Sequence, residues 1–218
     1  MRIPTAMLPF ESRLSAGQRK IMDGLSSPIH IQAFLDATPY SPENQNRNPL
    51  RVMDDRLAHC LDGGLFGALA LRRLGYPPLI VDLLPDPGMD DDHVLAIFKQ
   101  DGCLGAVAKS NFSGLRYREP VYRTMRELVM SYFEDFYNVN GLRTLRYYTV
   151  ALNLSRYDAH GWMWDDAGCD ELEEVLKHLR KFRLISINQA RALHPMDPLS
   201  YKAGTIATNP DGLYIPKV

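Results

Sequence analysis

The sequence predicts an α+β fold, and three observations carry that reading. A glycine-rich helical segment at residues 59–74 is followed directly by three strand-like runs separated by turn signals, which reads as a helix feeding an antiparallel meander. Hydrophobic residues make up 45% of the chain and charged residues 23%, the balance of an ordinary globule rather than a disordered chain. The 218 residues suffice for one substantial domain, with or without an appended element.

Taken in order, residues 15–25 and 28–35 read as short helices, the second with Pro28 in its first turn. Residues 38–49, TPYSPENQNRNP, are polar and helix-averse and read as a surface loop. The helix at 59–74, HCLDGGLFGALALRRL, keeps Leu61, Leu65, Ala68 and Leu69 at helical spacing. It ends on Arg72 and Arg73, with Gly75, Pro77 and Pro78 beyond as a full stop signal. Gly63, Gly64 and Gly67 each cost a helix roughly 1 kcal/mol against alanine, so their clustering predicts that something packs very closely against it. Residues 79–84 form a buried-strand pattern, 85–92 an acidic turn, 93–99 a second strand, Asp101-Gly102 a hairpin turn and 104–108 the return strand. Further on, residues 123–137 read as a long aromatic-rich helix, 145–154 as a strand and 170–182 as an amphipathic helix. From His194 the chain is broken by proline and glycine and reads as a weakly structured tail. There is no internal repeat or low-complexity tract.

Lys plus Arg total 25 and Asp plus Glu 26, a formal net charge of −1, so the molecule as a whole has no basic excess to gather it on nucleic acid or an anionic membrane. No apolar run approaches the roughly 18 residues of a membrane span, and the start, MRIPTAMLPFESRL, lacks the pattern of a signal peptide. The three cysteines, Cys60, Cys103 and Cys169, are odd in number and widely spaced, which implies no disulfide framework. A soluble cytoplasmic protein is expected, with neither nucleic acid nor membrane as partner. His59, Cys60, Asp90 to Asp92 and His93 include zinc-ligand types, but their spacing matches no zinc signature and the acidic turn lacks the EF-hand register, so no metal is expected.

Three features follow one another: a cysteine at a helix start, a histidine at a strand start and a polar run at the end of the next strand. A helix N-terminus favours a thiolate over a thiol through its unpaired N–H groups and dipole. Those N–H groups can also bind the oxyanion of an acyl-transfer intermediate. A histidine facing that helix is the natural base, and a third polar group fixes its tautomer.

At these residues the chain resembles the transglutaminase-like superfamily, the papain-related fold with a cysteine nucleophile. The resemblance runs through CLDGGLFGALALRRLGYPPLIVDL, DDDHVLAIF and DGCLGAVAKSN, over roughly residues 49–111. It implies a central helix carrying Cys60 packed on an antiparallel sheet, Cys60 as nucleophile and His93 as general base. It also implies an aspartate at the end of the second hairpin strand, where this chain has AVAKSN and no carboxylate. Asn111 is the candidate orienter of His93, with Lys109 and Ser110 as alternatives for that position. On this reading residues 1–154 are the transglutaminase-like domain and 155–218 a C-terminal helical extension and tail.

Each residue also has a plainer reading. Cys103 and Cys169 read as small buried hydrophobes. His59 points away from its neighbour and is a substrate contact or a loop histidine; His93 is a base or a cap of the acidic turn. Asp62 is a first-turn acid, a partner for Arg56 or a holder of a substrate amine. Arg116 and Arg118, with Arg123 and Arg126, are an anchor for an acidic substrate group or a solvated face ion-paired to Glu119 and Glu127. Tyr132, Phe133, Phe136 and Tyr137 read as core. Residues 185–193 pass for half a helix-turn-helix with no recognition helix behind it.

The expected activity is cysteine-dependent acyl transfer on an amide, ester or thioester, of the peptidase or amidase type or of the transglutaminase or acyltransferase type. The alternative is a catalytically degenerate binding module on the same fold. The substrate would be a peptide, a protein or a small acyl compound, with an acyl carrier protein as a further candidate partner, and no organic cofactor is implied.

Overall fold

The computed structural model describes residues 3–216; residues 1, 2, 217 and 218, which the expected division at 154 includes, lie outside them. The fold grows from one buried helix. α5 (Cys60–Arg73) follows four shorter helices, α1 (Leu8–Glu11), α2 (Ala16–Gly24), α3 (Pro28–Asp36) and α4 (Pro49–Asp55). Their starts obey local rules: Ser15, Ser27 and Asn48 each cap a helix with a side-chain oxygen, and Pro28 and Pro49 stand in the first turns. α5 ends as its stop signal predicts. Gly75 adopts φ +98°, its N–H donates to Arg72 O at 3.0 Å and the Tyr76 N–H to Leu71 O at 3.0 Å.

The close neighbour predicted by the three glycines is the hairpin of residues 93–107 and Lys109 just past it. A Cβ on Gly63 would lie 2.1 Å from Lys109 Cβ, one on Gly64 2.6 Å from Val94 Cγ1, and one on Gly67 2.9 Å from Val107 Cγ2. Each missing side chain lets the helix axis approach the sheet. The sheet is β1 (Leu79–Pro85), β2 (His93–Gln100), β3 (Cys103–Val107), β4 (Arg118–Tyr122), β5 (Leu145–Thr149), β6 (Leu152–Asn153) and β7 (Lys181–Arg183). Its order is β4-β3-β2-β1-β5-β7, every pairing is antiparallel, and β6 pairs with β1 beyond the end of β5. Asp101 (φ 49°) and Gly102 (φ 82°) both take positive φ in the β2–β3 turn, the conformation that a two-residue hairpin demands.

Alternation along β2 splits the core in two. Val94, Ala96 and Phe98 pack with Leu65, Phe66 and Leu69 of α5, whereas Leu95 and Ile97 join Tyr132, Phe133 and Phe136 on the other face. Several sequence expectations change here. The long helix at 123–137 is α6 (Met125–Met130) followed by turns. The arginine-rich stretch before it contains β4, an edge strand that tolerates Pro120. The helix at 170–182 is α7 (Asp166–His178), and Phe182 lies in β7. Residues past 154 supply that strand, and Trp162, Met163, Cys169, Leu172 and Leu176 share the core of α5. Beyond them come α8 (Ile187–Arg191) and α9 (Pro198–Gly204).

Residues 38–48 form a loop that is solvated only in part, with Pro39 and residues 42–45 exposed. Thr38, Ser41, Asn46, Arg47 and Asn48 are buried, because the polar groups satisfy one another. Arg47 reaches Asp55 (3.1 Å), Ser41 (3.0 Å) and Glu43, and Asn46 donates to Asp170 and Glu173 at 2.8 Å each. Arg72 and Arg73 do more than complement the helix dipole. Arg72 holds Asp158 through two bonds of 2.7 Å, and Arg73 holds Glu11 at 2.7 Å and Asp23 at 2.6 Å. Among the described residues no helix is long and apolar enough to cross a membrane.

Candidate functional site

Cys60 is the first residue of α5, where N–H groups have no intrahelical partner. The residue is 7% exposed, and its thiol donates to Asp92 O at a long 3.7 Å. Burial pushes the thiol well above its ordinary pKa, and the nearby carboxyls of Asp92, Asp91 and Asp82 push the same way. Asp82 is buried in β1 opposite Val94, and its Oδ1 has no hydrogen-bond partner. Its own pKa is raised well above normal by burial first and by Asp92 second.

His93 opens β2 on the face opposite α5, its ring 6.4 Å from that of Tyr132. Nε2 is 2.7 Å from Leu115 O, so Nε2 carries the proton and donates it, and Nδ1 is left as the acceptor. Burial lowers the imidazole to about pKa 4. The two faces meet at the strand's N-terminal end. There Cys60 and His93 line one small cavity of about 50 Å³ with Tyr40, Asp92, Ser110, Asn111 and Leu115. Cys60 also lines a larger cleft of about 280 Å³, walled by residues 40–44, Asn46, His59, Glu173, Lys177 and the segment 211–214.

The orienter position holds no orienting side chain. Asn111 sends its amide to Asn209 and Gly212 of the C-terminal segment. Lys109 is turned beneath the end of α3, where its ammonium donates to Leu35 O at 3.0 Å and to Thr38 O, a buried cation on carbonyls at the helix's C-terminal end. Burial lowers that ammonium to about pKa 8. Ser110 Oγ accepts from Phe112 N–H at 3.0 Å. What fixes the His93 ring is a backbone carbonyl, Leu115 O, which no residue-type pattern could announce.

The remaining candidates have structural partners. Asp62 is fully buried and caps its own helix, accepting from His59 N–H at 3.1 Å and from Arg47 N–H at 2.7 Å. The guanidinium beside it is Arg47, 3.9 Å away, and Arg56 lies instead over the Phe34 ring. Burial raises Asp62 to about pKa 7 and lowers His59 to about 4. His59 borders the larger cleft, with Nε2 3.2 Å from Asp62. Arg116 pairs with Asp36 at 3.3 Å. Arg118 lies over the Tyr132 ring and donates to Ser131, Tyr117 O and Gly114 O, so neither arginine lines the cavities beside Cys60. The ion pairs expected with Glu119 and Glu127 are made with Asp36 and Asp135 instead. Tyr40, in the loop that could form a cleft wall, lines both cavities, and Glu173, Lys177 and residues 211–214 are the cleft residues that sequence reasoning missed. Among the described residues no group of three or more His, Cys, Asp or Glu side chains is arranged to hold a metal ion.

No protein-family model matches the sequence, and no curated protein matches it. Among solved structures, LapG of Legionella pneumophila is similar at a TM-score of 0.39 and 10% identity, over 80% of this chain and 94% of that one. The EGTA-treated form of Legionella pneumophila LapG is similar at a TM-score of 0.38 and 11% identity, over 68% and 80%. Likenesses this distant assign no activity. The chain is a mixed α/β protein in which a cysteine-bearing helix packs on an antiparallel sheet.

Proposed function

We propose that the protein is a cysteine-dependent acyl-transfer enzyme of transglutaminase-like type, with Cys60 as nucleophile and His93 as base. One observation carries the reading: the cysteine at the start of a buried helix and a histidine with its Nε2–H anchored line the same cavity. With Nε2 donating to Leu115 O, Nδ1 is free to take the Cys60 proton as the sulfur attacks an acyl carbonyl carbon. The C–S bond forms as the carbonyl π bond opens. The resulting oxyanion is met by the Cys60 N–H at the helix start. Collapse expels the leaving group, which takes the proton back from His93. Water or an amine then attacks the thioester while Nδ1 again accepts the proton, and collapse breaks the C–S bond as the Cys60 sulfur leaves and takes that proton back. Both groups rest neutral, since burial raises the thiol and lowers the imidazole. Proton transfer is therefore coupled to attack rather than stored as an ion pair.

The test is acyl-enzyme trapping with p-nitrophenyl acetate, mapped by mass spectrometry, with Cys103 and Cys169 as internal controls. Cys60 should acetylate fastest, and His93→Ala should slow it on the order of 100-fold or more. Acetylation of Cys60 no faster than of Cys103 sinks the proposal. A binding module is the second reading, favoured by Lys109, whose amine is committed to Leu35 O and Thr38 O where the superfamily resemblance calls for a carboxylate; it is what such an outcome would leave.

A further inference from the structure

Residues 211–214 line the cleft beside Cys60, and Asn209 and Gly212 are tied to residues around it. Asn111 grips Asn209 on both sides of its backbone: Oδ1 accepts the Asn209 N–H at 2.7 Å, and Nδ2 donates to Asn209 O at 2.9 Å and to Gly212 O at 3.1 Å. The Asn209 side chain donates to Tyr40 O at 3.2 Å, tying the segment to the facing wall. Gly212 lies so close to the Tyr40 ring that a Cβ there would stand 2.9 Å from Cδ1 and 3.0 Å from Cε1. Asp211 to Tyr214 wall the larger cleft, and Gly212 and Tyr214 also wall the small cavity shared by Cys60 and His93.

The hold is local. Upstream, Tyr201 Oη donates to Val139 O at 3.0 Å and Met196 N–H to Gly141 O at 2.8 Å, which docks α9 and its approach on the body of the fold. Residues 209–216 belong to no strand, and none of them is fully buried. A segment held by a few polar contacts opens at lower cost than the core.

We propose that residues 209–214 are a displaceable internal plug of the Cys60 cleft, with Asn111 as its latch. Docked, they close one side of the approach to the thiol; released, they open it. The inference goes beyond the acyl-transfer reading and does not require it, because it concerns access to the cleft whatever happens there.

The test uses the full chain. Gly212→Val drives a side chain into the Tyr40 ring. Asn209→Pro keeps the native φ of −78° while deleting the N–H that Asn111 accepts. Hydrogen exchange over residues 209–216 reads release of the segment. Iodoacetamide alkylation near pH 9, where an ordinary thiol reacts, reads access to Cys60 relative to Cys103. In the double variant the segment should lose protection and Cys60 should alkylate about tenfold faster or more. A synthetic peptide of residues 207–216 added in trans should slow it again. A released segment with unchanged Cys60 alkylation, a segment still protected in the double variant, or a peptide that restores nothing would each overturn the plug. Running the same comparison in the His93→Ala background keeps its result independent of whether His93 acts as the base in acylation.

Discussion

The two faces of β2 solve the packing problem in opposite ways. On the α5 face, Val94 and Ala96 meet glycines, and closeness comes from deleting side chains. On the other face, Leu95 and Ile97 meet Tyr132, Phe133 and Phe136, and space is filled by large aromatics. Cys60 comes with the first layer and His93 with the second, and both line the cavity at the end of the strand. The spacing between thiol and imidazole is therefore set by two independent interfaces. The sharply specified one is the helix face, where no void can absorb an error.

The first effect expected is at that face. Gly63→Ala places a methyl 2.1 Å from Lys109 Cβ, an atom that cannot swing away because it is fixed to the strand end. Overpacking of about 3 kcal/mol should outweigh the roughly 1 kcal/mol gained in helix propensity, lowering stability in urea unfolding. Gly17→Ala in α2, with nothing nearer than Ser15 Oγ at 3.9 Å, is the control and should be neutral or better. Equal stability of Gly63→Ala and wild type would remove the case for a specified helix face.

Next come opposite pH responses from the two faces. His93 titrates in the folded state near pKa 4, against about 6.5 when unfolded. Between those values the unfolded chain binds a proton that the folded chain refuses, so stability falls as pH drops from 6.5 to 4, by on the order of 3 kcal/mol. His93→Gln should flatten that limb. Asp82 behaves inversely. Its folded pKa is raised above 3.8, so the folded chain keeps a proton that the unfolded chain releases, and stability falls as pH rises above about 4. Asp82→Asn carries no such proton, and its melting temperature should gain on wild type from pH 4 upward. It should also bring the Cys60 alkylation profile to lower pH. Parallel pH curves for wild type and both variants would contradict the assignment.

The smallest effect is Tyr132→Phe, which keeps the ring under Arg118 but loses the hydroxyl donated to Arg116 O at 2.8 Å. A loss of about 1 kcal/mol is expected in thermal unfolding, with the His93 Nε2 bond unaffected by NMR. A shift of the imidazole resonances would mean that the aromatic layer positions the base more tightly than the helix layer positions the thiol.

The helix and hairpin were legible because their signals are local: periodicity, a glycine and proline stop, an Asp-Gly turn. β4 was hidden because an edge strand with Pro120 and flanking arginines reads as a loop or a recognition patch. β7 was hidden because Phe182 continues the apolar spacing of α7, whose end at His178 carries no glycine. Composition could not reveal that Thr38, Ser41 and residues 46–48 are buried, since burial there depends on Arg47 and Asn46 finding carboxylates on α4 and α7. In the site, Cys60 and His93 were legible by residue type and order. The anchoring of His93 was not, because Leu115 contributes only its carbonyl. Asn111 stands out by its place after the strand, but its partners are about 100 residues away in sequence.

The outermost strands carry a further consequence. A sheet edge is a row of unpaired backbone groups that another chain can copy. One border of this sheet is β4, REPVY, with a proline and two charges in five residues; the other is β7, only Lys-Phe-Arg long, with Arg180 laid over the Phe182 ring. Neither offers an incoming strand a continuous apolar template. At high concentration, molecules of this protein should resist zipping together through their borders, by chemistry that takes no part in the cleft.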